Sequence, residues 1–252
     1  MSLTELESWM PVLLQGLLVS LELTAVASLL TFAFATMIAL LRISPLRPIR
    51  LVTTAFVDLD RSVPLLALLI FVYFGLGKYL AFLGLPAFWV AVLAISVNEA
   101  AYLGEVYRAA IESISQEQWD AATSLGLSRR QTLALVILPQ AVPAGIPPTV
   151  NDVIYILKAS SLASLVSVNE LTNVSTQLVS VTFLPMQIYM TIGAMYLALT
   201  VPLSYFARWL EVYVNRRLGL RVPPEAAHGA VVPIAGATDL SAAVSAKDAT
   251  DA

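Results

Sequence analysis

Long apolar runs constrain this chain more than any other feature. They occupy residues 11–41, 51–76, 86–111, 138–168 and 183–207, with short polar segments between them. A helix of about 20 apolar residues crosses the hydrocarbon core of a bilayer, and each run reaches that length. The runs are continuous rather than alternating, so membrane helices fit them better than the strands of a barrel. Composition agrees. Hydrophobic residues make up 58% of the 252 and charged residues 12%, with a mean hydropathy of +0.81. Soluble domains carry about 25% charged residues, so a disordered chain and an ordinary soluble core are both excluded. The expected fold class is an all-α membrane protein with five transmembrane helices.

Basic residues set the expected orientation. Arg42, Arg47 and Arg50 follow the first run. Arg108, Arg129 and Arg130 follow the third, and Arg208, Arg216, Arg217 and Arg221 follow the fifth. Lys78 is the single base between runs two and three, and none lies between runs four and five. Under the positive-inside rule this pattern predicts an outside N-terminus and a cytoplasmic C-terminus. The N-terminus lacks the basic stretch of a signal peptide and its apolar run is too long for one, so the first run is expected to be retained. Residues 222–252, rich in Ala, Val and Pro, are expected to be a disordered cytoplasmic tail.

Several chemistries are ruled out by what is missing. There is no Cys and the one His is His228, so no disulfide, metal site or cofactor is expected. A net charge of -3 offers no general attraction to nucleic acid. Gly77-Lys78 is followed by Tyr79 and not preceded by the glycine of a phosphate-binding loop, so any ATP must be hydrolysed by another subunit.

The segment 112–139 predicts two short helices on the cytoplasmic side. Ser115 with Gln118 and Ser128 with Gln131 have capping-box spacing. Gly126 suits the left-handed residue that ends the first helix. Asp120, Ala121 and Ala122 lie on that helix, and Leu125 and Leu127 flank the turn as an apolar knob. Such a unit either lies on the membrane surface or enters a partner's groove.

Charges at membrane depth are costly and mark functional sites. Asp58, Asp60 and Arg61 lie in the second run, Glu99 in the third, and Asn151, Asp152 and Lys158 in the fourth. Both signs are present at membrane depth, so either charge of a solute could be met there. Pairing among these residues is the structural alternative. Glu105 and Arg108, three residues apart, are expected to form a structural pair. Pro139, Pro143, Pro147 and Pro148 predict breaks in the fourth run, and broken backbone in a bilayer survives where it lines a watery cavity. That places the expected substrate site around Arg61, Asp58, Glu99, Asn151, Asp152 and Lys158.

A family resemblance adds to this reading. Asp120-Ala121-Ala122, three residues, Gly126, nine residues and Val136-Ile137-Leu138-Pro139 resembles the EAA motif of ABC importer permeases. Arg61-Ser62-Val63-Pro64-Leu65, Ala101-Tyr102-Leu103-Gly104-Glu105-Val106-Tyr107-Arg108, Pro139-Gln140-Ala141 and Leu157-Lys158-Ala159-Ser160-Ser161-Leu162 resemble segments of the polar amino-acid uptake branch, the histidine/glutamine type. The likeness covers residues 12–215. It implies a type I ABC importer permease fold in the bacterial inner membrane and a loop, 115–139, that couples to an ATPase through Asp120, Ala121, Ala122, Leu125, Gly126 and Leu127. It also implies four kinds of partner: a second permease chain, identical or homologous, two cytoplasmic ATPase subunits, an extracytoplasmic solute-binding protein and an amino-acid substrate. The chain itself is expected to catalyse no covalent change. An importer of another zwitterion, such as an opine or a compatible solute, fits the same motifs. An ion-coupled secondary transporter fits less well, for want of internal inverted repeats.

Overall fold

The computed structural model describes residues 3–77 and 84–217. The expected tail, 222–252, lies outside the described residues. The chain divides into one unit over Met1–Glu211 and a second over Val212–Ala252. All packing described below belongs to the first unit; of the second, only residues 212–217 are described, as the end of the last helix.

Regular structure among the described residues is helical throughout. In chain order the helices are α1 (Leu3–Arg42), α2 (Arg47–Ser62), α3 (Leu65–Ile70), α4 (Ala87–Glu112), α5 (Gln116–Ser124), α6 (Arg129–Thr132), α7 (Leu138–Ala159), α8 (Leu171–Thr182) and α9 (Pro185–Arg217). Two π-helical turns, Phe71–Gly75 and Leu133–Ile137, extend α3 and join α6 to α7, and a 3₁₀ stretch, Ser160–Val166, follows α7.

Four described stretches are long and apolar enough to cross a membrane: Ser8–Arg42, Ala87–Glu112, Arg129–Val166 and Pro185–Arg216. They coincide with apolar runs one, three, four and five. Run two is not one helix. Val63 is extended, with φ -100° and ψ 126°, and Pro64 follows it. The proline ring disfavours helical backbone in the residue before it, so α2 ends there and a short apolar helix, Leu65–Gly75, begins again.

The fourth run departs from expectation in the opposite sense. Pro143, Pro147 and Pro148 sit inside a continuous α7 rather than breaking it. The irregularity lies upstream, in the π turn Leu133–Ile137. A proline ring collides with the carbonyl four residues earlier, and for Pro139 that carbonyl belongs to Leu135, inside the widened turn. The bulge takes up the clash and the helix continues beyond it.

α4 is the centre of the bundle. Leu23 and Ala27 of α1, Leu69 of α3, Val92 and Ile95 of α4 and Ile156 of α7 share one buried cluster. α1 and α4 approach closely because Gly104 has no side chain. A Cβ there would stand 2.8 Å from Ile38 Cγ2 and 3.2 Å from the Ala35 carbonyl oxygen. Hydroxyls reinforce the contact. Ser96 Oγ of α4 donates to the Ala27 carbonyl at 3.1 Å and to Val92, one turn back, at 2.6 Å. Thr24 and Thr36 donate to their own i-4 carbonyls, which satisfies them without water. At the other end of α1, Trp9 and Leu13 pack with Leu171 of α8 and with Ile188 and Ile192 of α9.

Candidate functional site

The hairpin of α5 and α6 forms where its local chemistry predicts. α5 closes in a complete Schellman motif: Leu127 N–H donates to the Ala122 carbonyl at 3.2 Å and Gly126 N–H to the Thr123 carbonyl at 2.9 Å. Gly126 has φ +81°, a conformation that a β-carbon resists. Gln131 Oε1 accepts from both the N–H and the hydroxyl of Ser128, at 2.9 and 2.8 Å, and so starts α6. The box expected at Ser115 is not made. α5 does begin after Ser115, but its side chain caps nothing, and Gln118 N–H bonds the Ser115 carbonyl instead.

The six coupling candidates divide by exposure. Ala122 is buried, while Asp120 and Ala121 are exposed and Leu127 is half-buried. Leu125 is 82% exposed at the tip. Asp120 accepts from Gln116 Nε2 at 3.0 Å within its own helix. Beneath the hairpin, Trp119, Leu133 and Val136 pack on Ile111, Ile137 and Ala141. The hairpin is therefore fixed to α4 and α7, and no flexible loop separates α6 from α7.

Near the same end, Glu105 of α4 gathers two guanidinium groups. Arg42 Nε of α1 donates to Oε1 at 2.7 Å, and Arg108 donates to Oε2 at 2.9 and 3.1 Å. Arg108 also bonds Glu112. Glu105 and Arg108 are thus the structural pair their spacing predicts, with Arg42 as a third member.

The intramembrane candidates separate into a cluster and outliers. Glu99 is 4% exposed, and its Oε1 has no hydrogen-bond partner. Asp152 Oδ2 is likewise buried and without one. Glu99 lies within electrostatic reach of both Asp152 and Asp60. Asp60 is held by Asn98 Nδ2 at 3.0 Å. Arg61, in the last turn of α2, places its guanidinium 5.0 Å over the ring of Tyr102, and Tyr102 Oη donates to the Arg61 carbonyl at 3.1 Å. None of the acids of run two pairs with Arg61 or Lys158 among the described residues.

Three candidates stand apart. Asp58 and Asn151 are exposed, with no side-chain hydrogen bond. Lys158 is exposed in the last turn of α7, six residues beyond Asp152. At about 100° per residue that turns it some 120° away from Asp152 around the helix.

Asn98, Tyr102 and Tyr155 join the site without having been candidates, and Asp60 joins it from among the intramembrane charges left out of the expected set. A signal for the tyrosines was present: Glu99 and Tyr102 are three apart on α4, and Asp152 and Tyr155 three apart on α7. Each helix thus offers an acid and, one turn on, a phenol on the same face. Tyr155 lies within electrostatic reach of Glu99, Tyr102 and Asp152. A cavity of about 370 Å³ opens between α1, α4 and α7, lined by Phe32, Thr36, Tyr107, Gly145, Ile146 and Thr149 among others. It is apolar, and the hydroxyls of Tyr107 and Thr149 are bonded to each other at 2.7 Å.

Comparison with known proteins places this geometry in a family. The nopaline transport system permease protein NocM of Agrobacterium fabrum is 30% identical over 228 residues, covering 86% of this chain and 95% of that one. The probable glutamine ABC transporter permease protein GlnM of Bacillus subtilis is 33% identical over 181 residues, covering 72% and 83%. Among solved structures, an amino acid ABC transporter crystallised with histidines superposes with a TM-score of 0.77 at 31% identity, over 84% of this chain and 99% of that one. The MetNI methionine ABC transporter shares the fold with a TM-score of 0.70 at 18% identity, over 85% and 99%. Residues 32–220 match the family described as binding-protein-dependent transport system inner membrane component, and the chain belongs to it.

Proposed function

We propose that this chain is the membrane-crossing subunit of an importer for polar amino acids and works beside a second permease chain, identical or homologous. In this reading residues 12–215 cross the membrane five times, α2 and α3 together making the second crossing, with the N-terminus outside and the C-terminus in the cytoplasm. The parity of the basic clusters supports that count. Two separate ATPases supply the energy and an external binding protein delivers the solute. The names of relatives that carry glutamine, arginine and cystine support the cargo class.

The observation that carries the proposal is mechanical continuity. Leu125 stands exposed at the tip of a hairpin whose turn is closed on both sides, and α6 runs through the π turn into the helix that bears Asp152. The ATPases grip Asp120, Ala121, Leu125, Gly126 and Leu127, with Ala122 buried beneath them where the hairpin seats on the bundle. Their closure on ATP moves the hairpin, and α7 moves with it. The bundle is then a two-state element biased by nucleotide bound on another subunit. Solute meets Arg61, Glu99 and Asp152 on the way, with Asp58, Asn151 and Lys158 along the exposed faces of the same helices.

Cysteine at Leu125, paired with cysteines on the ATPase surface, tests the docking in native vesicles. Crosslinks that change with ATP are expected; their absence at every ATPase position refutes it. An opine is the second reading of the cargo, favoured by the nopaline and octopine relatives. Ligand binding by the external binding protein separates the two.

A further inference from the structure

A zwitterion needs one cation and one anion from its site, and this site holds a surplus of anions. Arg61 can pair with the carboxylate of a solute. Asp60 is already met by Asn98. Glu99 and Asp152 each keep a buried oxygen with no partner, and the two lie within electrostatic reach of each other. An unmet buried carboxylate is costly, more so at membrane depth. The ammonium of an amino acid satisfies one of these acids and leaves the other.

The tyrosines point the same way. Tyr102 already carries Arg61 over its ring. Tyr155, one turn after Asp152, is 49% exposed, and no cation lies over its ring among the described residues. A phenol ring beside a carboxylate suits a guanidinium or an alkylammonium, through ring quadrupole and charge-assisted hydrogen bond together.

We infer that the solute carries a cationic side chain, a guanidinium or a primary ammonium, held by Glu99, Asp152 and the ring of Tyr155. This rests on the amino-acid reading above and narrows it. A carboxamide side chain offers the second acid only a neutral donor, as Asn98 does for Asp60, and leaves its charge uncompensated, while a carboxylate side chain adds a further negative charge to the pair.

The test uses the intact complex of permease chains and ATPase in detergent, without the binding protein, so that selectivity belongs to the membrane site. Binding of labelled L-arginine, L-glutamine and L-glutamate is measured by equilibrium dialysis. L-arginine is expected to bind about ten-fold or more tighter than L-glutamine, and L-glutamate least, the scale of one charged hydrogen bond. Glu99→Gln and Asp152→Asn should each erase most of that preference, while Tyr155→Phe keeps it and Tyr155→Leu weakens it. The variants should still co-purify with the other subunits.

Equal or tighter binding of L-glutamine or L-glutamate by the unaltered complex overturns this inference and leaves the amino-acid reading standing. Binding of none of the three overturns both. Loss of the second permease chain on Glu99→Gln or Asp152→Asn assigns the carboxylates to a subunit contact and also overturns the inference. The ranking of ligands uses the unaltered complex and does not depend on how any variant folds.

Discussion

Ser20 Oγ lies 3.3 Å from Glu170 Oε2 and joins the first membrane helix to the head of α8 across 150 residues of sequence. The same hydroxyl accepts from Leu171 N–H at 3.1 Å. Glu170 is fully buried and also accepts from the N–H groups of Thr172 and Asn173, at 2.9 and 2.7 Å, as the N-cap of α8. Tyr196 of α9 donates to it at 3.4 Å. Gly16, one turn before Ser20, makes the approach possible, since a Cβ there would stand 3.0 Å from Leu171 Cα. One side chain thus ties together α1, α8 and α9.

Glu170→Ala should lower stability by about 1–3 kcal/mol, because it strands two helix-end amides and removes the link to Ser20, whose hydroxyl keeps only the Gly16 carbonyl as acceptor. Glu170→Gln should cost less, since its amide oxygen still accepts. The dependence on pH carries a definite sign. Burial raises the Glu170 pKa above its ordinary 4.5, while bonds from Thr172, Asn173 and Ser20 pull it back part of the way. The folded chain therefore holds this proton more tightly than the unfolded one. Its contribution is full below pH 4.5 and is lost as pH rises through the folded value. Thermal melts of the purified protein should show that component in the native chain and not in Glu170→Gln.

Gly104→Ala should be destabilising despite the small change. The new methyl would meet Ile38 Cγ2 at 2.8 Å and Ile38 Cβ at 3.0 Å, on a helix that cannot retreat without opening the core. The expected cost is about 1–3 kcal/mol. Ile38→Ala in the same chain removes the colliding methyl. The double variant should therefore lose less than the sum of the single ones, a coupling that melting temperatures can read.

At Gly126 the space is open, with nothing within 4 Å of a Cβ, so substitution acts through the backbone alone. Left-handed backbone costs an ordinary residue about 1–2 kcal/mol. Gly126→Asn should be tolerated best, then Gly126→Ala, with Gly126→Val worst. All three should insert in the membrane normally. Uptake and solute-stimulated ATP hydrolysis should fall in that order, and normal transport by Gly126→Val would remove the hairpin from the mechanism.

Glu105→Ala should harm the bundle more than Arg108→Ala. It leaves two guanidinium groups without their shared acceptor, and the side chains of Arg42 and Glu105 are only 13% and 14% exposed. Removing one partner of a mostly buried pair costs about 3 kcal/mol or more, against about 1 kcal/mol or less for an exposed one. Heat-inactivation rates of the reconstituted complex would rank the two.

What the chain discloses before folding follows from the range of each interaction. Apolar length placed four of the spans. Local turn chemistry placed Gly126 and the Ser128–Gln131 cap, because both are settled within a few residues. Pro64 ended α2 by a local rule that the apolar count of run two had overridden. The prolines of run four misled for a related reason: the clash of Pro139 with Leu135 falls in a π turn that no composition signals, and Pro143, Pro147 and Pro148 stay within a continuous helix. Glu170 was not singled out at all. Its role depends on Ser20 and Gly16, far away in sequence, and a single acid in a polar stretch has no periodicity to give it away. In the candidate site, helix spacing links Glu99 to Tyr102 and Asp152 to Tyr155, a signal that charge alone did not bring out, whereas Lys158 was included on its charge and the helix turn count puts it some 120° from Asp152 on α7.

The π turn at Leu133–Ile137 has a geometric consequence for everything beyond it. It holds one residue more than an α-helical turn needs, and each residue swings the chain by about 100°. Deleting a single residue there would restore regular winding and carry Asp152 and Tyr155 from the face shared with Glu99 towards lipid, with no change in any side chain. The azimuth of Asp152 and Tyr155 is therefore written some fifteen positions upstream of them, in a turn that carries neither residue.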